Sequence, residues 1–305
     1  MTCRELYEIG KKRLIAADIA TADIATTAAA AEAAVEARLF LEASCGISWH
    51  DLLANGEHRI TEEQIRAYLG YIAVREKRIP LQYILGEQEF MGLSFLVTPA
   101  VLIPRQDTEV LVEEVLANIG KVRRVLDLGT GSGCVLLSIL NQMPDIEGTG
   151  VDISKEALGI ASQNEERLMR SLTAEKRWQP VEWIENDFLD GLELHDKQYD
   201  IIVSNPPYIP TATLPGLMAE VREHEPLLAL DGGMDGLDCY RQIIDRASQH
   251  LTLAGKLFFE IGHDQATAVC KLMTAAGFHD IRVKKDMGGH DRVVWGSKVI
   301  DSELK

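Results

Sequence analysis

At 305 residues, with roughly 150 residues per domain as a guide, the chain has room for two domains and a sizeable core. Peptide hormones, toxins and disulfide-stapled mini-domains are excluded. Hydrophobic residues at 46%, charged residues at 26%, 24 glycines and 10 prolines fit an ordinary globular protein, and a net charge of −16 repels phosphate backbones, so long nucleic acid is not an expected partner.

The five cysteines, Cys3, Cys45, Cys134, Cys239 and Cys270, contain no C-x-x-C pair. They imply a reducing compartment, and a cytoplasmic location follows from the mixed charges of the N-terminus and the lack of any uninterrupted run of 18 apolar residues. The eight histidines are scattered, and Glu260-x-x-His263 falls at a strand end, so no metal site is expected. Cys134 opens a helix but precedes Val-Leu-Leu, which suits a small buried side chain without a catalytic role.

Residues 1–88 read as an all-helical N-terminal domain. The alanine-rich stretch Ala28–Ala34 leads into Val35, Leu39 and Ala43, whose one-turn spacing predicts a buried stripe. Thr61-Glu62-Glu63-Gln64 is a capping box, followed by Ile65, Tyr68, Leu69 and Ile72 at helical spacing. The first 85 residues hold 10 basic and 12 acidic side chains, so this part is near neutral and the rest carries almost all of the net charge.

Residues 89–105, within which β-formers alternate with Gly and Pro, predict a hairpin-like connector. Beyond it, in a domain extending over 89–305, short apolar runs at 124–128, 148–153, 181–188, 201–205 and 256–262 alternate with helical stretches such as 134–143 and 238–251. That order predicts an α/β fold with a doubly wound, mostly parallel sheet. Two closing runs, 281–285 and 292–297, are separated by a glycine pair and predict an antiparallel end.

Chemistry is concentrated at the strand ends. Val125 to Leu128 runs into Gly129-Thr130-Gly131-Ser132-Gly133, where neither G-x-G-x-x-G nor a Walker loop can be fitted, leaving a loop on whose backbone a ligand without phosphates can lie. Asp152 ends the next strand, 23 residues after Gly129, and suits either two ribose hydroxyls or a helix cap shared with Ser154. Glu185-Asn186-Asp187-Phe188, read as the end of the third strand, offers a carboxylate for an adenine amino group and an aromatic face for the ring. The fourth strand ends in Asn205-Pro206-Pro207-Tyr208. In this rigid turn the Asn205 amide oxygen and the Pro206 carbonyl can accept both hydrogens of a planar NH2, with Tyr208 as a stacking face.

Taken in this order, these motifs resemble the Asn-Pro-Pro-Tyr group of class I S-adenosylmethionine-dependent methyltransferases. Pro80 to Glu87, Leu102 to Glu109, Glu225-Pro226, Leu230 to Leu237 and Asp291 to Val294 extend the resemblance to the PrmC/HemK family, from about residue 36 to 298. The resemblance implies S-adenosyl-L-methionine as cofactor, held by Gly129 to Gly133, Asp152, Asp187, Phe188 and Asn205. It also implies that Asn205, Pro206, Pro207 and Tyr208 present the glutamine of the Gly-Gly-Gln motif of peptide-chain release factors for N5 methylation by in-line displacement. The helical domain would then dock the substrate, and a monomer is expected. A ribosomal-protein glutamine or an adenine or guanine amino group is the alternative acceptor, the net charge arguing against nucleic acid. The chain departs from the family pattern at Gln106, which usually reads Pro, and at His290, often Arg. Arg105 and Glu109 either pair with each other or line the site.

Overall fold

The computed structural model describes residues 1–17, 27–173, 176–191 and 197–298. Two compact units emerge, one made of Met1–Gly86 with Leu217–His224, the other of Glu87–Gly216 with Glu225–Lys305.

The first unit is helical: α1 (Cys3–Ala16), α2 (Thr27–Cys45), α3 (Trp49–Asn55), α4 (Glu62–Arg75), α5 (Leu81–Leu85) and a further short helix, Ala219–His224. Capping boxes start α1, α3 and α4, with Thr2, Ser48 and Thr61 satisfying the first free N–H groups. Leu6, Leu14, Phe40, Leu41, Tyr68 and Ile72 are fully buried. The stripe predicted on α2 is corrected: Val35 is 47% exposed and Ala43 is also outside, whereas Ala33, Glu36, Ala37, Phe40 and Leu41 face in. The reason is that a bulky Phe40 and a charge pair choose the face. Glu36 meets the buried Arg75 guanidinium at 2.9 Å, and the same guanidinium reaches Glu220 at 3.2 Å, so a carboxylate is buried where hydropathy alone would turn it out.

The second unit opens with an antiparallel hairpin, β1 (Glu87–Phe90) and β2 (Leu93–Leu96), turning at Met91-Gly92. The predicted connector is therefore a hairpin only in its first part, and it starts earlier, at Glu87. There follow α6 (Gln106–Ala117), β3 (Arg124–Leu128), α7 (Cys134–Gln142), β4 (Glu147–Asp152), α8 (Lys155–Ser171), β5 (Glu182–Glu185), β6 (Tyr199–Ser204), α9 (Asp238–His250), β7 (Leu251–Glu260), α10 (Ala266–Ala275), β8 (Phe278–Lys285) and β9 (Asp291–Lys298). The strand predicted over 181–188 is corrected to the four residues of β5. Asn186 N–H makes the last bond to β4, to the Asp152 carbonyl at 3.0 Å, and Asp187 and Phe188 leave the ladder as Asn186 Nδ2 donates to the Phe188 and Asp190 carbonyls, closing a turn.

The seven-stranded sheet has the order β5-β4-β3-β6-β7-β9-β8, parallel from β5 to β7, with β9 antiparallel to both of its neighbours. This is the doubly wound, mostly parallel α/β sheet expected from the alternation of elements. Successive residues of the inner strands point to opposite faces. Val125, Ile201, Val203 and Phe258 pack under α6 and α7, while Leu126, Ile202, Leu257 and Phe259 pack under α9 and α10. Chain order reverses between β3 and β6, and the pairing of Leu128 with Ser204 brings Gly129 and Asn205 off neighbouring strand ends. In an open sheet that crevice is where ligands bind.

Candidate active site

A cavity of about 330 Å³ lies at this reversal point, within the range of small-molecule sites. Gly129, Thr130, Gly131 and Ser132 border it, as do Asp152, Asp187, Phe188, Asn205 and Pro207. Gly133, Pro206 and Tyr208 are outside its lining.

The loop after β3 is made by main-chain geometry. Gly129, Gly131 and Gly133 all have positive φ, at 70°, 54° and 77°, a region that other residues enter only with strain. Gly129 N–H and Thr130 N–H both donate to the Val151 carbonyl, at 2.8 and 3.0 Å, tying the loop to β4. A Cβ at Gly129 would approach Phe188 at 3.3 Å, so the glycine lets the ring close one wall. Phe188 itself sits at φ 47°, a conformation that costs an aromatic residue energy and is held by the Asn186 turn.

Of the two roles its position allows, the helix cap is not taken by Asp152. Ser154 is the cap of α8, its hydroxyl accepting from Ala157 N–H. Asp152 instead accepts from Gly131 N–H at 2.8 Å through Oδ2 and from Ser154 N–H at 2.9 Å through Oδ1, which leaves each oxygen with a further lone pair. Burial pushes its pKa up, opposed by the backbone donors at Ser154, Gly131 and Ile153. Asp127 was not singled out by its sequence context, yet it also borders the cavity. Its Oδ2 accepts from the Thr130 hydroxyl at 2.6 Å, and full burial pushes its pKa up to about 7.

The turn after β6 is held from several directions. Ser204 donates to the Leu128 carbonyl at 2.7 Å. Asn205 Nδ2 donates to Thr108 Oγ1 at 3.3 Å, and no described group donates to its Oδ1. Gln265 Nε2 donates to the Tyr208 carbonyl at 3.0 Å and to the Gly236 carbonyl at 3.1 Å. The Tyr208 hydroxyl reaches Glu260 Oε1 at 3.4 Å, in the interior and away from the cavity lining.

The segment Leu230 to Leu237 packs against this turn. Ile209 bridges Asp231 in parallel, and a Cβ at Gly232 would fall 2.7 Å from Tyr208 Cα and 2.8 Å from the Pro207 carbonyl. The Leu230–Leu237 motif thus needs glycine where it meets the Asn-Pro-Pro-Tyr turn.

Arg105 and Glu109 do not pair with each other. Arg105, which borders the cavity, pairs with the buried carboxylate of Glu225, whose other oxygen accepts from Ile103 N–H at 3.2 Å. Glu109 accepts from Met91 N–H at 2.6 Å, at the hairpin turn. The Leu102–Arg105 and Glu225-Pro226 segments therefore meet, and Leu102 and Pro226 both face the cavity. Gln106 begins α6, and His290 N–H donates to Asp286. Near His290 a fixed positive charge remains in Arg292, which bridges Asp107 at 3.0 Å and Asp286 at 3.1 Å.

Cys134 is buried, and its pKa is pushed up to about 12, which makes it a poor nucleophile. Among the described residues no group of three or more His, Cys, Asp or Glu could hold a metal ion, and no helix is long and apolar enough to cross a membrane. His195 lies outside the described residues.

A doubly wound sheet with a cavity at its reversal point is shared by many enzymes that bind nucleotide-like cofactors, and the family models that fit the chain place it among the methyltransferases. Two family models fit the chain, "PrmC N-terminal domain" over residues 5–86 and "Methyltransferase small domain" over residues 105–218. A release factor glutamine methyltransferase of Geobacter sulfurreducens is 44% identical over 87% of this chain and 89% of its own length, and one of Moorella thermoacetica is 43% identical over 85% and 89%. A methyltransferase structure from Pyrococcus furiosus shares the fold, with a TM-score of 0.50 at 16% identity over 75% of this chain and all of that one. The chain belongs to the release factor glutamine methyltransferase family.

Proposed function

We propose that the protein transfers a methyl group from S-adenosylmethionine to N5 of the glutamine in the Gly-Gly-Gln motif of peptide-chain release factors. The observation that carries this reading is that one cavity is bordered both by the glycine loop with Asp152 and by Asn205, whose amide oxygen is uncommitted. Family membership narrows the acceptor to release factors.

The residues present fit the cofactor. Open space above Gly131, where an added Cβ would meet nothing within 4 Å, leaves the loop backbone accessible to a ligand. The spare lone pairs of Asp152 match the two hydroxyls of a ribose, and Phe188 offers an apolar face for a purine, with Asp187 beside it for the exocyclic amino group. When bound, S-adenosylmethionine supplies a methyl made electrophilic by its sulfonium.

The acceptor side then needs position more than basicity. An amide nitrogen is a weak nucleophile whose lone pair is conjugated with its carbonyl. Asn205 Oδ1 and the Pro206 carbonyl, accepting one hydrogen each, hold the NH2 in a fixed plane and stabilise the positive charge that develops on nitrogen as the N–C bond forms and the methyl–sulfur bond breaks; neither oxygen is a base, and the surplus proton passes from nitrogen to water. Tyr208, anchored through Glu260 and Gln265, fixes the end of the turn. The helical first unit, which the PrmC N-terminal model fits, is assigned the docking of the release factor.

The test is to offer labelled S-adenosylmethionine with, separately, a release factor, a ribosomal protein fraction and DNA. Label on the Gly-Gly-Gln glutamine supports the proposal. Label confined to ribosomal protein or DNA, or transferred to nothing, overturns it.

A further inference from the structure

Asn205 can present its amide in two ways that are nearly equal in shape and opposite in polarity. Only with Oδ1 toward the acceptor can it receive a hydrogen from an NH2 group; reversed, it would set one donor against another. In the structure Nδ2 is spent on Thr108 Oγ1 at 3.3 Å, and Oδ1 is left free. Thr108 lies on α6, far from β6 in the sequence, and its side chain is buried.

A hydroxyl can accept from Asn205 or donate to it, so Thr108 fixes the amide only if its own proton is committed elsewhere. Glu260, at the end of β7, supplies the commitment. It is 1% exposed, its Oε1 receives the Tyr208 hydroxyl at 3.4 Å, and its Oε2 is buried with no hydrogen-bond partner. Burial pushes the Glu260 pKa up to about 7, opposed by the Thr108 hydroxyl and by Arg292, which favour the charged form. Above that pH Glu260 is a carboxylate, which can only accept, and a buried oxygen without a donor is costly.

We propose that Thr108 and Glu260 are positioning residues that set which way Asn205 faces. The Thr108 hydroxyl turns its proton onto the orphaned carboxylate oxygen of Glu260, its lone pairs receive Asn205 Nδ2, and Oδ1 is thereby aimed at the substrate nitrogen. The same carboxylate, through Oε1, holds Tyr208 at the far end of the turn. One buried acceptor thus orients both polar side chains of the Asn-Pro-Pro-Tyr segment. This inference rests on the proposed function, since it assumes an NH2 acceptor.

The experiment measures kcat and KM for methyl transfer to a release factor with Thr108→Val, Thr108→Ser, Glu260→Gln and their combinations with Asn205→Ala and with each other. Thr108→Val keeps the volume and removes the polarity, so kcat should fall about thirtyfold with KM and cofactor affinity within twofold of the parent. Thr108→Ser should restore kcat to within threefold. Glu260→Gln, which can offer Thr108 a donor, should lower kcat several-fold in the parent and add nothing to Thr108→Val. In the Asn205→Ala background, Thr108→Val should also add nothing, because there is no amide left to orient.

A merely structural Thr108 would cost the same factor in both backgrounds, and that result overturns the inference. So does a Thr108→Val enzyme with parental kcat, or a serine variant no better than valine. A parent enzyme that leaves the release factor unlabelled overturns the functional reading, whereas a labelling parent with an indifferent Thr108→Val overturns the inference alone.

Discussion

The loop after β3 and the turn after β6 leave adjacent strand ends, yet different groups hold them in place. Gly129 to Gly133 are fixed by main-chain donors to the Val151 carbonyl and by positive φ angles, with Asp152 clamping Gly131 N–H. Asn205 to Tyr208 are fixed by side chains from three other elements, Thr108 of α6, Glu260 of β7 and Gln265 at the start of α10. A backbone cradle suits a ligand whose shape never changes from one turnover to the next. An acceptor that must be held in one plane needs a single polar atom of the right kind, and side-chain networks can specify that. The first region should therefore be sensitive to added atoms and to the Asp152 charge, and the second to the loss of individual polar atoms.

The largest effect expected from this contrast is at Asn205. Asn205→Ala removes one of two acceptors and should lower kcat about a hundredfold, equivalent to about 3 kcal/mol in the barrier, with cofactor affinity unchanged. Steady-state kinetics with separate cofactor titration would show the split, and parental kcat would contradict the role. Asp152→Asn should behave in the opposite manner. Loss of a charged acceptor for ribose hydroxyls should weaken S-adenosylmethionine about thirtyfold, close to 2 kcal/mol, and leave kcat at saturation nearly intact, as calorimetry and saturation kinetics would report.

Gly232→Ala probes the packing between the Leu230–Leu237 segment and the turn. Its Cβ would lie within 3 Å of main-chain atoms of Pro207 and Tyr208, so backbone must move. A loss of about 1.5 kcal/mol in stability and a lowered kcat should appear together, the first as a drop of about 4 °C in Tm. A melt identical to the parent would mean that the segment yields freely.

A fourth effect, on stability rather than on turnover, concerns pH. Burial is the main cause that pushes the Glu260 pKa from the ordinary 4.5 up to about 7, against the Thr108 hydroxyl and Arg292, which favour the charged form. Because the native protein binds this proton more tightly than the unfolded chain does, the contribution to stability is fully present below about pH 4.5 and is lost as pH climbs through 7. Glu260→Gln should remove a downward slope of at most about 1.4 kcal/mol per pH unit across that window. Chemical denaturation of parent and variant at several pH values measures the difference, and parallel curves would show that Glu260 keeps an ordinary pKa.

The alternation of short apolar runs and helices made the sheet legible because parallel strands buried on both faces read as apolar runs, and the ligand-facing motifs sit at their ends. Gly129, Asp152 and Asn205 stand out because each is an unusual residue at a strand terminus. Thr108 and Glu225 both lie in motifs shared with the family, and Glu260 stands out only as half of a Glu-x-x-His pair, yet nothing local says that Thr108 meets Asn205, that Glu260 meets Tyr208 or that Glu225 holds Arg105. Those contacts arise only when α6 and β7 come to β6 and the distant segments meet. The face of α2 was misread because an alanine-rich helix has little apolar contrast, and the buried Glu36 is explained only by Arg75 across the unit. The end of β5 differs from the expectation because Phe188 falls in step with Ile184 in the alternation of a strand, while the Asn186 side chain closes a turn just past Glu185.

On the proposed reading, two oxygen atoms at the end of β6 grip the amide of the substrate glutamine. A crystal structure with S-adenosylhomocysteine and a peptide containing Gly-Gly-Gln would show whether they do. The glutamine nitrogen is expected within about 3.2 Å of both Asn205 Oδ1 and the Pro206 carbonyl. A glutamine nitrogen out of reach of both oxygens, or an Asn205 presenting Nδ2 to it, would contradict the account.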